Sequence, residues 1–159
     1  MKAAATLLLI CSLLAEDALA AGPKPKICFT KAEENAEQIV RGGLRLREGA
    51  NGCDARPWMA QTKPLWDQVD QRFGPRFKQQ TNIRRAAFVR EFANDAENQV
   101  QAWDGRTVLY FRNLPLSVPY CAEIKKTLQD LLGKSGWGGF ISRSRLYRIP
   151  VEDDYKPCG

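Results

Sequence analysis

The stretch Thr30-Lys31-Ala32-Glu33-Glu34-Asn35-Ala36-Glu37-Gln38-Ile39-Val40-Arg41, running on to Cys53, decides the fold. Thr30 with Glu33 three residues on is a capping box, which satisfies free backbone N–H groups at a helix start. Ala36, Ile39, Val40, Leu44 and Leu46 then recur at helical spacing. Gly42-Gly43 weakens the middle by about 1 kcal/mol per glycine relative to alanine, and lets a second helix approach closely. The glycines from Gly49 to Gly52 are expected to end the helix just before Cys53.

Working outward, Leu65, Trp66, Val69, Phe73 and Phe77 form a second apolar stripe after Pro64. Gly74-Pro75 interrupts it, and a proline inside a helix removes a hydrogen bond and clashes with the preceding turn. The reading is a helix that stops or kinks there. Thr81 is then taken as the N-cap of a third, longest helix whose face carries Ile83, Ala87, Phe88, Phe92, Ala96, Val100 and Trp103. Asp104-Gly105 breaks that pattern. The β-branched and aromatic run Thr107 to Phe111 fits either a short strand or a resumption of the helix. Ser117, with Pro119 in the first turn, opens a fourth helix with an apolar side of Tyr120, Ile124, Leu128, Leu131 and Leu132, and Gly133 stops it. Residues 134–159, rich in Gly, Ser, Arg and Pro, read as an irregular tail pinned by Trp137, Phe140 and Tyr147.

The beginning of the chain reads as a removable leader. Lys2 precedes an apolar run from Ala3 to Ala15, shorter than the roughly 20 residues a bilayer-spanning helix needs. Ala18-Leu19-Ala20 supplies the small residues of a signal-peptidase site, with cleavage expected after Ala20. Losing Lys2, Glu16 and Asp17 raises the formal net charge by one from +6. Four of the five cysteines remain, an even number that in an exported chain reads as two disulfides. None shows the C-x-x-C spacing of a redox motif or zinc ribbon.

Helix geometry selects the pairing. Cys28 and Cys53 flank the first helix, which would hold them about 25 Å or more apart, whereas a disulfide needs Cα atoms within about 7 Å. In an up-down bundle with short loops the first helix ends at the pole where the fourth begins. That predicts Cys53–Cys121 and Cys28–Cys158. The expected fold is therefore mainly α: an up-down bundle of about four helices with two disulfides and an irregular C-terminal tail. Its parts are a leader over 1–20, an extended lead-in over 21–29, the stapled domain over 30–133 and the tail over 134–159.

The chain contains no histidine, which removes Ser-His-Asp and Cys-His triads and nearly every catalytic zinc site. Gly133-Lys134-Ser135 resembles the end of a phosphate-binding loop, but Leu128 stands where the earlier glycine belongs and a helix precedes it. Glu152-Asp153-Asp154 lacks the spaced ligands of a calcium loop. Glu33, Glu34, Glu37, Asp95, Glu97 and Glu123 offer carboxylates for a glycosidase-type pair, which needs two of them about 5–10 Å apart across a cleft. No catalytic residue, metal or cofactor is assigned.

The basic balance favours anionic neighbours. Arg41 and Arg45 on the first helix, Arg84 and Arg85 on the third, and Arg143, Arg145 and Arg148 in the tail form the candidate surface for an anionic partner. Export disfavours nucleic acid and favours an envelope protein, an anionic envelope component or peripheral membrane contact. Oligomeric state is left open.

The segment Ala36-Glu37-Gln38-Ile39-Val40-Arg41 between Cys28 and Cys53, with a later cysteine at Cys121, resembles a pattern in small uncharacterised periplasmic proteins of alphaproteobacteria. The resemblance implies a periplasmic helical domain and carries no activity. The leading expectation is a non-enzymatic binding or interaction protein of the cell envelope, periplasmic or secreted, such as an accessory subunit. The alternatives are a cell-wall glycan hydrolase using paired carboxylates and an envelope chaperone.

Overall fold

The structure, a computed structural model, describes residues 28–56, 58, 61–146 and 156–158. These form β1 (Cys28–Phe29), α1 (Lys31–Asp54), α2 (Thr62–Phe92), a 3₁₀ turn (Ala93–Asp95), α3 (Ala96–Arg112), α4 (Val118–Leu132), α5 (Gly136–Ser144) and β2 (Lys156–Pro157). The fold is mainly α, as expected, with α1 at its centre packed against α2, α3, α4 and α5.

The capping box opens α1: Glu33 N–H donates to Thr30 Oγ1 at 3.4 Å and Thr30 N–H to Glu33 Oε2 at 2.8 Å. The helix does not end at Gly49 but runs through the glycines to Asp54. They are places of close approach: a Cβ on Gly43 would lie 2.8 Å from the Phe77 ring, and one on Gly49 2.8 Å from Ile124 Cδ1. Packing against α2 and α4 offsets the low helix propensity of glycine.

The largest departure from the sequence reading lies in α2, which continues through Pro75 for 31 residues. A mid-helix proline costs about 3 kcal/mol. Here the apolar stripe on both sides outweighs it, since Val69 and Phe73 before Pro75 and Ala87 and Phe88 after it are all buried. Thr81 is consequently no N-cap; its hydroxyl donates back to the Phe77 carbonyl at 3.1 Å, as a mid-helix threonine does. The real break comes at Ala93, whose φ of 46° lies in the left-handed region that costs a residue with a Cβ energy. Thr107 to Phe111 belongs to α3. Thr107 bonds the Trp103 carbonyl and Phe111 is buried, so tertiary packing overrides the β propensity of the run.

Ser117 caps α4 as expected, accepting from Tyr120 N–H at 3.4 Å. The stretch after Gly133, read as irregular, contains α5. Trp137 and Phe140 do pin it: Trp137 stacks on Phe73 at 5.6 Å and meets Phe77 edge-on at 4.9 Å, while Phe140 is buried. Tyr147 lies outside the described residues.

Two apolar clusters result. One joins Ile39, Leu46, Val69, Phe73, Ile124, Leu128 and Phe140; the other gathers Phe29, Ala87, Phe88, Val100 and Trp103. Both predicted disulfides are present, with Cα separations of 4.9 Å for Cys28–Cys158 and 5.5 Å for Cys53–Cys121. The first sits beside a short parallel pairing of β1 with β2, in which Cys28 faces Lys156 and Cys158 N–H donates to the Phe29 carbonyl at 2.9 Å. The segment leading into α1 is thereby tied to the C-terminal segment, and the far pole is tied from α1 to α4. Among the described residues no helix is long and apolar enough to cross a membrane.

Non-reducing peptide mapping is expected to recover Cys28–Cys158 and Cys53–Cys121. Replacing Cys53 and Cys121 together with alanine should lower the unfolding free energy by about 2–4 kcal/mol in urea titration. A Cys28–Cys53 peptide would contradict the topology.

Candidate functional site

Along α1 the charged residues Glu33, Glu37, Arg41, Arg45 and Glu48 recur every three or four positions, so they share one stripe of the helix. All five are buried. At the centre Glu37, 3 % exposed, accepts from Arg41 Nη2 at 3.0 Å and Trp103 Nε1 at 2.9 Å on one oxygen, and from Arg84 Nη1 at 3.1 Å on the other. Arg84, 1 % exposed, also forms a two-pronged pair with Asp104 at 2.6 and 2.8 Å. Burial opposes the charge of Arg84, yet the Asp104 hydrogen bonds and the Glu37 charge outweigh it and raise its pKa.

The pattern repeats toward both ends of α1. Arg90 grips both oxygens of Glu33 at 2.8 and 2.9 Å and donates to the Cys28 carbonyl. That guanidinium is the main reason the Glu33 carboxyl is pulled down to about 2, against the opposing effect of burial and with help from Thr30. Arg45 bonds Glu123 at 3.1 Å and lies over the Tyr120 ring. Glu48 accepts from Arg47 Nε at 2.8 Å and Arg112 Nε at 2.7 Å.

The candidate anionic-partner surface therefore needs correction at three positions. Arg41, Arg45 and Arg84 face inward, because burying a carboxylate on a central helix requires a cation beside it. Arg85 is half-exposed and paired with Glu97 at 3.0 Å. Arg143 bonds Asp130 and Thr127 across the α4–α5 contact, and Arg145 is exposed just beyond α5. Arg148 lies outside the described residues. Arg85 lies on α2 and pairs with α3, whereas Arg143 lies on α5 and pairs with α4, so the two belong to different helix contacts.

The candidate carboxylates are likewise engaged. Glu34 pairs with Lys31, Glu97 with Arg85 and Glu123 with Arg45. Asp95 accepts from Gln99 and Asn98, which lower its pKa. A general acid for glycoside cleavage needs a raised pKa, the opposite of what Glu33 and Asp95 show. Among the described residues no group of three His, Cys, Asp or Glu side chains is placed to hold a metal ion. Glu152-Asp153-Asp154 lies outside them.

Two concavities flank the charged helix. One, about 170 Å³, lies between α1 and α2, walled by Val40, Leu44, Trp66 and Phe77, with Asp70 and Lys78 at its rim. The other, about 310 Å³, lies where α1, α3 and the α3–α4 loop meet, lined by Glu48, Asn51, Gly52, Phe111, Arg112 and Leu116. The composition of the sequence did not point to either. The 33, 37, 41, 45, 48 spacing was the available signal for the charge stripe.

Fold and site together define a disulfide-stapled helical domain organised around a charged central helix. Two disulfides are features of proteins in an oxidising environment, outside the reducing cytoplasm. No protein-family model matches the chain, and neither a curated protein nor a solved structure does.

Replacing Glu37 with Gln is expected to cost about 3–5 kcal/mol in chemical denaturation, because it removes the buried carboxylate that Arg41 and Arg84 share; Lys31→Ala, on an exposed pair, should stay within about 0.5 kcal/mol. A second expectation concerns acid. The folded value for Glu33, about 2, lies below its ordinary 4.5, so ionised Glu33 stabilises the fold above pH 4.5 and that contribution fades as pH falls toward 2. The urea midpoint should fall over that window in the natural protein and fall less in Arg90→Met.

Proposed function

We propose that this chain is an exported, non-enzymatic interaction protein of the bacterial cell envelope. In this reading residues 1–20 are a cleaved signal peptide and the mature domain is periplasmic or secreted. The observation that carries it is the engagement of the acidic side chains. Glu33, Glu37 and Glu48 on the central helix, and Glu34, Glu97 and Glu123 nearer the surface, each have a cationic partner. Paired in this way, these six carboxylates serve the scaffold rather than glycan hydrolysis.

The disulfides support a location outside the cytoplasm. The likeness of residues 36–41 and the cysteine order to alphaproteobacterial periplasmic proteins points the same way. The surplus of cations over anions favours a partner with an acidic face.

In-cell crosslinking followed by pull-down of the C-terminally tagged protein from its own envelope is the test. One dominant protein partner at near-equal stoichiometry is the expected result. Release of muropeptides by the purified protein, abolished by changing a single carboxylate, would replace this reading with the hydrolase.

A further inference from the structure

The concavity at the junction of α1 and α3 is built differently from the rest of the surface. Arg112 closes the last turn of α3 and is 61 % exposed, yet its Nε is anchored at 2.7 Å to the buried carboxylate of Glu48. The other Glu48 oxygen is taken by Arg47. Both acceptors of Glu48 are therefore occupied, and the terminal amino groups of Arg112 have no bond among the described residues. A guanidinium held through one nitrogen loses orientational freedom but keeps its remaining donors for a planar, two-oxygen acceptor. Below it the floor is apolar, made by Phe111 and Leu116. Gly52 keeps that floor open to Leu116, since a Cβ there would lie 3.0 Å from its side chain.

Charge and size narrow the ligand. Arg112 in the lining, with Arg47 of the neighbouring α1–α2 concavity also bound to Glu48, outnumbers that carboxylate by one positive charge, which matches a monoanion better than a dianionic phosphate. The concavity, about 310 Å³ and open to solvent on one side, has room for a short organic body. We infer that this cavity binds a small organic monocarboxylate with a short apolar body, its carboxylate on the Arg112 fork and its body on Phe111 and Leu116. This is a small-molecule site on the isolated domain, so its failure and that of the envelope-partner reading are distinguishable.

Isothermal titration of the purified, disulfide-intact protein with hexanoate, hexanol and inorganic phosphate tests the site. Hexanoate should bind saturably at one site, and hexanol and phosphate more weakly. Arg112→Gln should weaken hexanoate by about tenfold or more, the scale of one lost charge-assisted hydrogen bond. Arg112→Lys, which keeps the charge without the fork, should also weaken it. Arg85→Gln, at an exposed pair between α2 and α3, should leave it unchanged. Absence of saturable hexanoate binding, phosphate binding as tight as hexanoate, or unaltered affinity in Arg112→Gln would each overturn the assignment.

Discussion

The bundle depends on the burial of Glu37 between Arg41, Arg84 and Trp103. A carboxylate on a central helix cannot be left unpaired away from water, because an isolated buried charge costs several kcal/mol even after the protein relaxes. Arg41 comes from the next turn of α1 itself, Arg84 from α2 and Trp103 from α3. Satisfying one side chain thus fixes the register of three helices. Asp104 then completes Arg84 from the same turn of α3 that supplies Trp103. The hydrophobic clusters provide the bulk of the driving force, but apolar contacts alone tolerate sliding, and this hydrogen-bonded set does not.

The two disulfides close what the ion pairs align. Cys53–Cys121 joins the end of α1 to the first turn of α4, one turn of α1 beyond Glu48 and its pairing with Arg112 of α3. Cys28–Cys158 joins the lead-in of α1 to the C-terminal segment beside Glu33, whose partner Arg90 also reaches the Cys28 carbonyl. At each end of the central helix a covalent staple and a charged clamp coincide. The ends of α1 are where fraying would begin, so the staples act where the helix most needs them.

Local signals in the sequence carried a good part of this. The caps at Thr30 and Ser117, the apolar stripes and the cysteine spacing each act through nearby backbone or through helix length, and they led to the correct pairing. What failed depends on neighbours distant in sequence. Pro75 looks like a helix stop until the residues of α2 on both sides of it are buried, Gly49 looks like one until Ile124 of α4 is packed against it, and Trp137 anchors a helix only because Phe73 and Phe77 receive it. The arginines show the limit most sharply. Arg84 and Arg85 are adjacent and chemically identical, yet Arg84 shares a helical face with Ala87 and Phe88 and is buried with them, whereas Arg85 points away. That periodicity was present in the sequence; the expectation that arginine belongs at the surface overrode it. The Arg112 cavity had no such signal, because Glu48, Gly52 and Leu116 meet only in the folded chain.

The central claim, that the charges of α1 face inward to one another, is tested most directly by phenylglyoxal modification of the native protein, read residue by residue by mass spectrometry. The structure predicts that Arg41 and Arg84 are protected while Arg85, Arg112 and Arg145 react readily. Unfolding in urea should bring all five to a common rate. Modification of Arg41 and Arg84 in the native state as fast as Arg85 would contradict the account.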